Sequence, residues 1–277
     1  MTDAERTAAA LAERFAADIE VPDQTAGTAT LRTMAARGSC RAFTDRPVSR
    51  DLLRLIAAVA LSSPTKSDLQ QRDIVLVTDP SVRAGFNAIV GADWMDKAPA
   101  FAVICGNNRR HRQIHEWHGI PFTNDHLDAF FNAAVDAGIA LEAMVCAAEA
   151  VGLGTCPISA IRNACDEVSR LLALPDHVFP IAGLALGWPA RDPAVAMRLP
   201  LHATVHENRF DDTTVRDDVA GYDAARSAHR PFARQRNPER FGTVENYGWS
   251  HDKARQYADP QRADFGAHIR AKGFKLD

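Results

Sequence analysis

The spacing of apolar positions separates helices from strands along most of this chain. After Ser49, the residues Leu52, Leu53, Leu55, Ile56 and Val59 recur at helical spacing, and the serine hydroxyl can cap first-turn amides. The pattern predicts a helix over 50–61. Ile74-Val75-Leu76-Val77, closed by Asp79-Pro80, reads as a short central strand, and Ala100 to Cys105 as a second. Helices are expected over 28–37, 81–90 and 163–173, and a further strand over 180–189. The longest pattern, 125–151, is apolar almost all round and rich in small residues, which predicts a fully buried helix in a core or at a subunit interface. Gly152-Leu153-Gly154 ends it. Residues 4–20 carry an alanine-rich helical pattern. By contrast, 107–123, rich in His, Arg and Asn, reads as a loop. Beyond about residue 207 periodicity fades, apart from a final helix near 260–272, and so long a tail is not a simple loop. The fold class is α/β in the α+β sense, helices around one sheet.

Composition narrows the setting. The 277 residues suit one large domain or two small ones, with 46% apolar residues for a core and 24% charged. A net charge of −3 offers no basic excess for nucleic acid. The five cysteines are an odd number without a C-x-x-C pair, which argues for free thiols and a reducing cytoplasm. The acidic start Met1-Thr2-Asp3-Ala4-Glu5 lacks a signal-peptide pattern. No uninterrupted apolar run approaches ~18 residues, so no membrane-spanning helix is expected.

Two segments carry candidate chemistry. Arg37-Gly38-Ser39-Cys40-Arg41-Ala42-Phe43 places two guanidinium groups and a hydroxyl close together, a set that can wrap a phosphate with charge-assisted bonds. Ser62-Ser63-Pro64-Thr65-Lys66-Ser67-Asp68-Leu69-Gln70 is a polar turn able to offer hydroxyl, amide and backbone donors to a planar ligand. In this order the segments resemble the FMN-dependent nitroreductase family, within it the oxygen-insensitive NADPH nitroreductases and flavin reductases. Further matches are 149–154, 158–163, 172–178, 184–189, Arg198-Leu199-Pro200 and His206-Glu207-Asn208, so the likeness covers roughly 30 to 210.

The resemblance implies a nitroreductase-like fold, a central mixed sheet flanked by helices in an intertwined homodimer. It implies an N-terminal extension over 1–27, an FMN-binding core over 28–210, and a C-terminal extension over 211–277 wrapping the partner subunit and pocket. Arg37, Gly38, Ser39 and Arg41 are expected at the ribityl phosphate of FMN, with Arg198 as a further cation. Pro64, Thr65, Ser67 and Gln70 would line the ribityl chain and pyrimidine edge. Pro157, Ile158, Ser159 and Ala160 would pass the ring, with a backbone N–H near N5. Arg262 is a candidate for substrate binding at the pocket mouth. The implied activity is ping-pong, two-electron hydride reduction of nitroaromatics, quinones or flavins by NADPH or NADH, with no catalytic side chain and no metal. The chain departs from the family at Ser159 and Ala160, where glycines are common, at Ala196 in place of a lysine, and at Ala92 in place of a flavin-contacting glutamine.

His111, His115 and His118 share a helical spacing, but no H-E-x-x-H pattern accompanies them. Gly152-Leu153-Gly154 follows a helix, not a strand, and fails the context of a dinucleotide fingerprint. Arg230, Arg234, Arg236 and Arg240 form either a solvated run or a grip on the 2′-phosphate of NADPH. Dehalogenation, flavin ring cleavage and flavin binding without turnover stay open as alternative functions.

Overall fold

Eleven helices and four strands make up the described residues, 1–22 and 25–277, of a computed structural model. The helices are α1 (Asp3–Phe15), α2 (Thr28–Ala36), α3 (Arg50–Leu61), α4 (Pro80–Val90), α5 (Arg109–Trp117), α6 (Leu127–Ala150), α7 (Cys165–Leu171), α8 (Val215–His229), α9 (Pro238–Phe241), α10 (Trp249–Gln256) and α11 (Phe265–Ala271). The strands are β1 (Arg72–Leu76), β2 (Ala100–Asn107), β3 (Gly154–Ile158) and β4 (Val178–Gly187). The chain divides into two compact units, Met1–Gly38 with Ala194–Gln261, and Ser39–Pro193 with Arg262–Asp277.

The second unit holds the sheet, ordered β1-β2-β4-β3. Every pairing is antiparallel, which corrects the expectation of a mixed sheet. β1 is an edge strand, not the central one expected from its apolar run; the centre belongs to β2 and β4. β2 is buried along its whole length because both sheet faces are covered. Alternate residues divide between the faces: Ala100, Ala102 and Ile104 pack with α3 and α6, whereas Phe101, Val103 and Cys105 pack with Phe86 of α4 and Val168 of α7. Glycines at 106 and 183 make room for phenyl rings. A Cβ at Gly183 would approach Phe101 Cζ to 2.5 Å, and one at Gly106 would approach Phe179 Cζ to 2.5 Å.

α3 starts as its sequence predicts, with the Ser49 hydroxyl accepting from Leu52 N–H at 3.2 Å. Within its own chain α6 buries one stripe, including Ala133, Asp136, Ala137, Ala140, Met144 and Ala148. Leu127, Phe131, Val135 and Ile139, spaced four apart, are exposed. By length and composition α6 is also long and apolar enough to cross a membrane, unlike the expectation from uninterrupted runs. Here it is a core helix packed along β2 and α3.

The segment read as a loop is helical over Arg109–Trp117. Its N-cap residue Asn108 makes no capping bond, the first-turn Arg110 N–H donating instead to Asn107 Oδ1 at 3.2 Å, and arginines occupy the first turn, against the helix dipole; both features hide it from sequence reading. The Arg110–Asp73 and Arg112–Asp125 ion pairs, 2.6 and 2.5 Å, fix it. The C-terminal strap follows α11 and inserts Phe274 against Phe130 and Phe179. His177 and Gly273 join it to the sheet, His177 Nε2 lying 3.0 Å from the Gly273 carbonyl.

In the first unit, α1 is capped by a reciprocal Thr2–Glu5 box and lies against α2, joined by the Arg32–Asp3 pair at 3.1 Å. The tail where periodicity fades forms α8, α9 and α10. Tyr222 of α8 meets Trp249 of α10 edge-on at 5.4 Å, and Ser250 N–H caps onto Asp223 at 3.0 Å.

Candidate functional site

The polar turn joining α3 to β1 has an uncommon backbone. Ser67, Asp68 and Gln70 all adopt positive φ, at 49°, 56° and 51°. This left-handed region costs a residue with a Cβ on the order of 1–2 kcal/mol, so such a turn persists only where neighbours over-determine it. They do so from three directions. The Asp136 carboxylate, fully buried on α6, accepts from Lys66 N–H and Gln71 N–H, each at 3.0 Å. Arg72 Nη2 donates to the carbonyls of Leu61 and Ser63 at 2.9 and 2.8 Å. From α5, Arg110 Nη1 donates to Gln70 O at 2.8 Å, and His111 Nε2 lies 2.6 Å from Leu69 O. The ring nitrogen of the histidine considered for metal binding is thus engaged by the turn. So held, Pro64, Ser67 and Gln70 face solvent and Thr65 is half-buried. The Ser63 hydroxyl is buried without a protein partner.

From Ser39 onward the phosphate-type segment runs extended in the same unit. Cys40 N–H donates to Thr155 O at 2.8 Å, Thr44 N–H to Trp188 O at 2.8 Å, and Ala190 N–H to Ala42 O at 2.9 Å. These bonds turn Cys40 and Phe43 inward and leave Ser39 and Arg41 exposed. Burial raises the Cys40 thiol above its ordinary range, so it stays protonated and unreactive at neutral pH. Among the described residues no carboxylate pairs with Arg41, whose guanidinium lies 6.0 Å from the Trp94 ring. A solvent-facing cation without a counter-charge, two residues from a hydroxyl, fits a phosphate.

β3 delivers the third segment. Pro157 and Ser159 are exposed, Ile158 is buried and Ala160 half-buried. The structure brings Arg262 here: its Nε donates to Asn163 Oδ1 at 2.9 Å and its Nη2 to Ser159 Oγ at 3.4 Å. Arg262 itself has φ 56°, a side chain held over this segment by a left-handed backbone.

Arg37, Gly38 and Arg198 belong to the first unit, where the organising residue is Arg14, absent from the sequence-predicted set. Buried at the end of α1, it donates to Ala35 O from Nε and Nη2, at 3.0 and 2.8 Å, to Arg37 O at 2.6 Å and to Ala196 O at 3.1 Å. Its own carbonyl accepts from Arg198 N–H at 2.6 Å. One side chain and its peptide thereby tie together the two backbone segments that carry Arg37 and Arg198. The Arg198 guanidinium folds back on the carbonyls of Ala196 and Met197, 3.1 Å each. Of the basic cluster, Arg236 and Arg240 pair with Asp252 and Asp259 at 3.4 and 2.7 Å, which leaves Arg230 and Arg234 as its cations without a carboxylate among the described residues.

Asp136 was as invisible as Arg14, although a lone carboxylate on the buried stripe of an apolar helix is itself a signal. On two separate segments, the exposed hydroxyls at 39 and 67, the orphaned Ser63 hydroxyl and Arg41, without a carboxylate among the described residues, are donors of the kind that suit a phosphorylated, polar, planar group such as FMN.

Comparison with known proteins agrees with this chemistry. The family model described as "Nitroreductase family" matches residues 34–188, and "Nitroreductase family, C-terminal domain" matches 197–277. The FMN reductase (NAD(P)H) of Bacillus subtilis is 31% identical over 252 residues, covering 89% of this chain and 98% of its own. The oxygen-insensitive NADPH nitroreductase of Salmonella typhimurium is 36% identical over 183 residues, 65% of this chain and 74% of its own. The solved NADPH:FMN oxidoreductase of Vibrio harveyi, complexed with NAD+, superposes with a TM-score of 0.76 at 29% identity, covering 88% of this chain and 97% of that one.

Proposed function

Because the chain belongs to the nitroreductase family, we propose that it is an FMN-dependent oxidoreductase that uses NAD(P)H in a ping-pong reduction of nitroaromatics, quinones or flavins. When bound, FMN supplies the hydride chemistry, and the protein supplies position and charge. The observation that carries the reading is Arg41, an exposed guanidinium beside Ser39 with no carboxylate partner among the described residues. In this reading Arg37, Gly38, Ser39, Arg41 and Arg198 bind the ribityl phosphate. Pro64, Thr65, Ser67 and Gln70 orient the ribityl chain and pyrimidine edge, and residues 157–160 flank the ring. Arg262, tethered to Ser159 and Asn163, would bind a nitro or carboxylate group of the acceptor. In this reading no side chain of the set acts as nucleophile or general base, and protons for the acceptor come from water.

We also propose a homodimer. The exposed apolar stripe of α6 is matched by exposed Leu55 and Val59 on α3, which packs against it. Contiguous apolar surface of this kind marks association sites.

The test is the visible spectrum of the purified protein after FMN addition, followed anaerobically with NADPH and then NADH. Flavin bands that bleach are expected, and the faster nucleotide identifies the reductant; bands that persist with both would sink the reductase reading. Arg41→Ala is expected to raise the Kd for FMN about tenfold or more, since a bond to a charged group contributes roughly 1.5–3 kcal/mol. An unchanged Kd removes Arg41 from the site.

A further inference from the structure

The turn at 62–71 contains three left-handed residues with side chains, Ser67, Asp68 and Gln70, and a single buried carboxylate touches it on both sides of them. Asp136 is completely buried, yet among the described residues it forms no ion pair. Its two oxygens accept only Lys66 N–H and Gln71 N–H, the amides that bracket the strained stretch. A carboxylate withdrawn from water without a cation is costly unless hydrogen bonds satisfy it. Here they come from the backbone of one turn, so the ionised side chain is stable only while the turn keeps this shape. The converse also holds: the turn's unfavourable dihedrals persist because leaving them would orphan a buried charge.

From this we infer that Asp136 is a positioning residue for the cofactor, holding the 64–70 turn in its ligand-ready conformation before FMN arrives. The inference rests on the FMN reading given above. The side chain does not reach the ligand. It acts through the backbone, so that the exposed Ser67 and Gln70 are already aimed and binding does not have to order them. α5 closes the same clamp from the carbonyl side through Arg110 and His111. Asp136 differs from them in gripping both N–H groups at once, a task that needs two acceptor oxygens. Asparagine has the same shape but one acceptor, and it would turn an amide N–H2 toward one of the two donors.

The test uses Asp136→Asn in the full-length protein, read by amide hydrogen exchange without flavin and by FMN titration. Exchange at Lys66 and Gln71 is expected to accelerate about tenfold or more while amides in β2 and β4 are unchanged, and the Kd for FMN to rise about 10- to 100-fold, the loss of one or two bonds to a charged acceptor. Should the buried substitution prevent folding, Lys66→Pro removes one of the two donors, and the preceding Thr65 already has the extended backbone, φ −135° and ψ 153°, that proline requires before it. Measured against Lys66→Ala, it is expected to weaken FMN about tenfold. Asp68→Gly in the Asp136→Asn background should recover part of the affinity, because glycine relieves one left-handed residue; a purely structural aspartate would not respond to that change. Unaltered exchange, or an unaltered Kd in a protein that binds FMN, overturns the role of Asp136. Failure of the wild-type protein to bind FMN overturns the flavin reading instead, and accelerated exchange in the flavin-free variant would still show the carboxylate holding the turn.

Discussion

Arg14→Met is expected to lower the stability of the protein by about 3 kcal/mol or more and to weaken flavin retention in the same variant. Methionine keeps the length and apolar stem of the side chain, so packing is largely spared. The guanidinium fork is lost, and with it the bonds to the carbonyls of Ala35, Arg37 and Ala196. Two of these carbonyls belong to the end of α2, where a cation also offsets the negative pole of the helix. Each buried carbonyl left without a donor costs on the order of 1–3 kcal/mol, reduced where water can enter. The measurable result is a fall in Tm of roughly 5–10 °C, with a rise in the FMN Kd because the segments bearing Arg37 and Arg198 lose their common anchor. Arg14→Lys should fall between, keeping the charge but unable to fork to three carbonyls. A variant with unchanged Tm would mean that water replaces the guanidinium at no cost.

The contrast between Arg41 and Arg14 marks what was legible in the chain. Arg41 and Ser39 flank the apolar Cys40, a polar–apolar–polar step that is visible in the chain, although Phe43, which shares the parity of the polar pair, is buried as well. Arg14 acts on carbonyls 21 and 182 positions away, and a backbone carbonyl has no signature in a sequence. Asp136 likewise grips amides 70 and 65 positions away. The fold divides in the same way. Ser49 and the Leu52 to Val59 spacing gave α3 with its cap. β2 and β4 are apolar runs because both sheet faces are covered, and they were readable for that reason. β1 is also an apolar run, but edge or centre is decided by strand order, which local pattern does not carry. α5 escaped detection because its first turn is basic and is capped by Asn107, one residue before the usual cap position, and because its ion pairs go to Asp73 and Asp125, outside the helix.

Glutamate at both Val59 and Val135 is expected to convert the protein to monomers without unfolding it. In the isolated subunit these side chains are 52% and 41% exposed, so a charged replacement stays hydrated and costs the subunit fold little. At an interface formed by α3 and α6 the same carboxylates would be stripped of water with no cation to meet them, at a cost of several kcal/mol. Twofold symmetry repeats every substitution on the facing subunit, so each change counts twice. The dimer Kd is therefore expected to rise by at least about a thousandfold. Sedimentation should show the wild-type protein at twice the chain mass of 30.2 kDa and the variant at that mass, with unchanged far-ultraviolet circular dichroism. If the flavin pocket is completed by the partner subunit, the variant also loses FMN, although neither Val59 nor Val135 is itself assigned to the cofactor. Retention of FMN by a folded monomer would separate cofactor binding from assembly, and a monomeric wild-type protein would overturn the dimer itself.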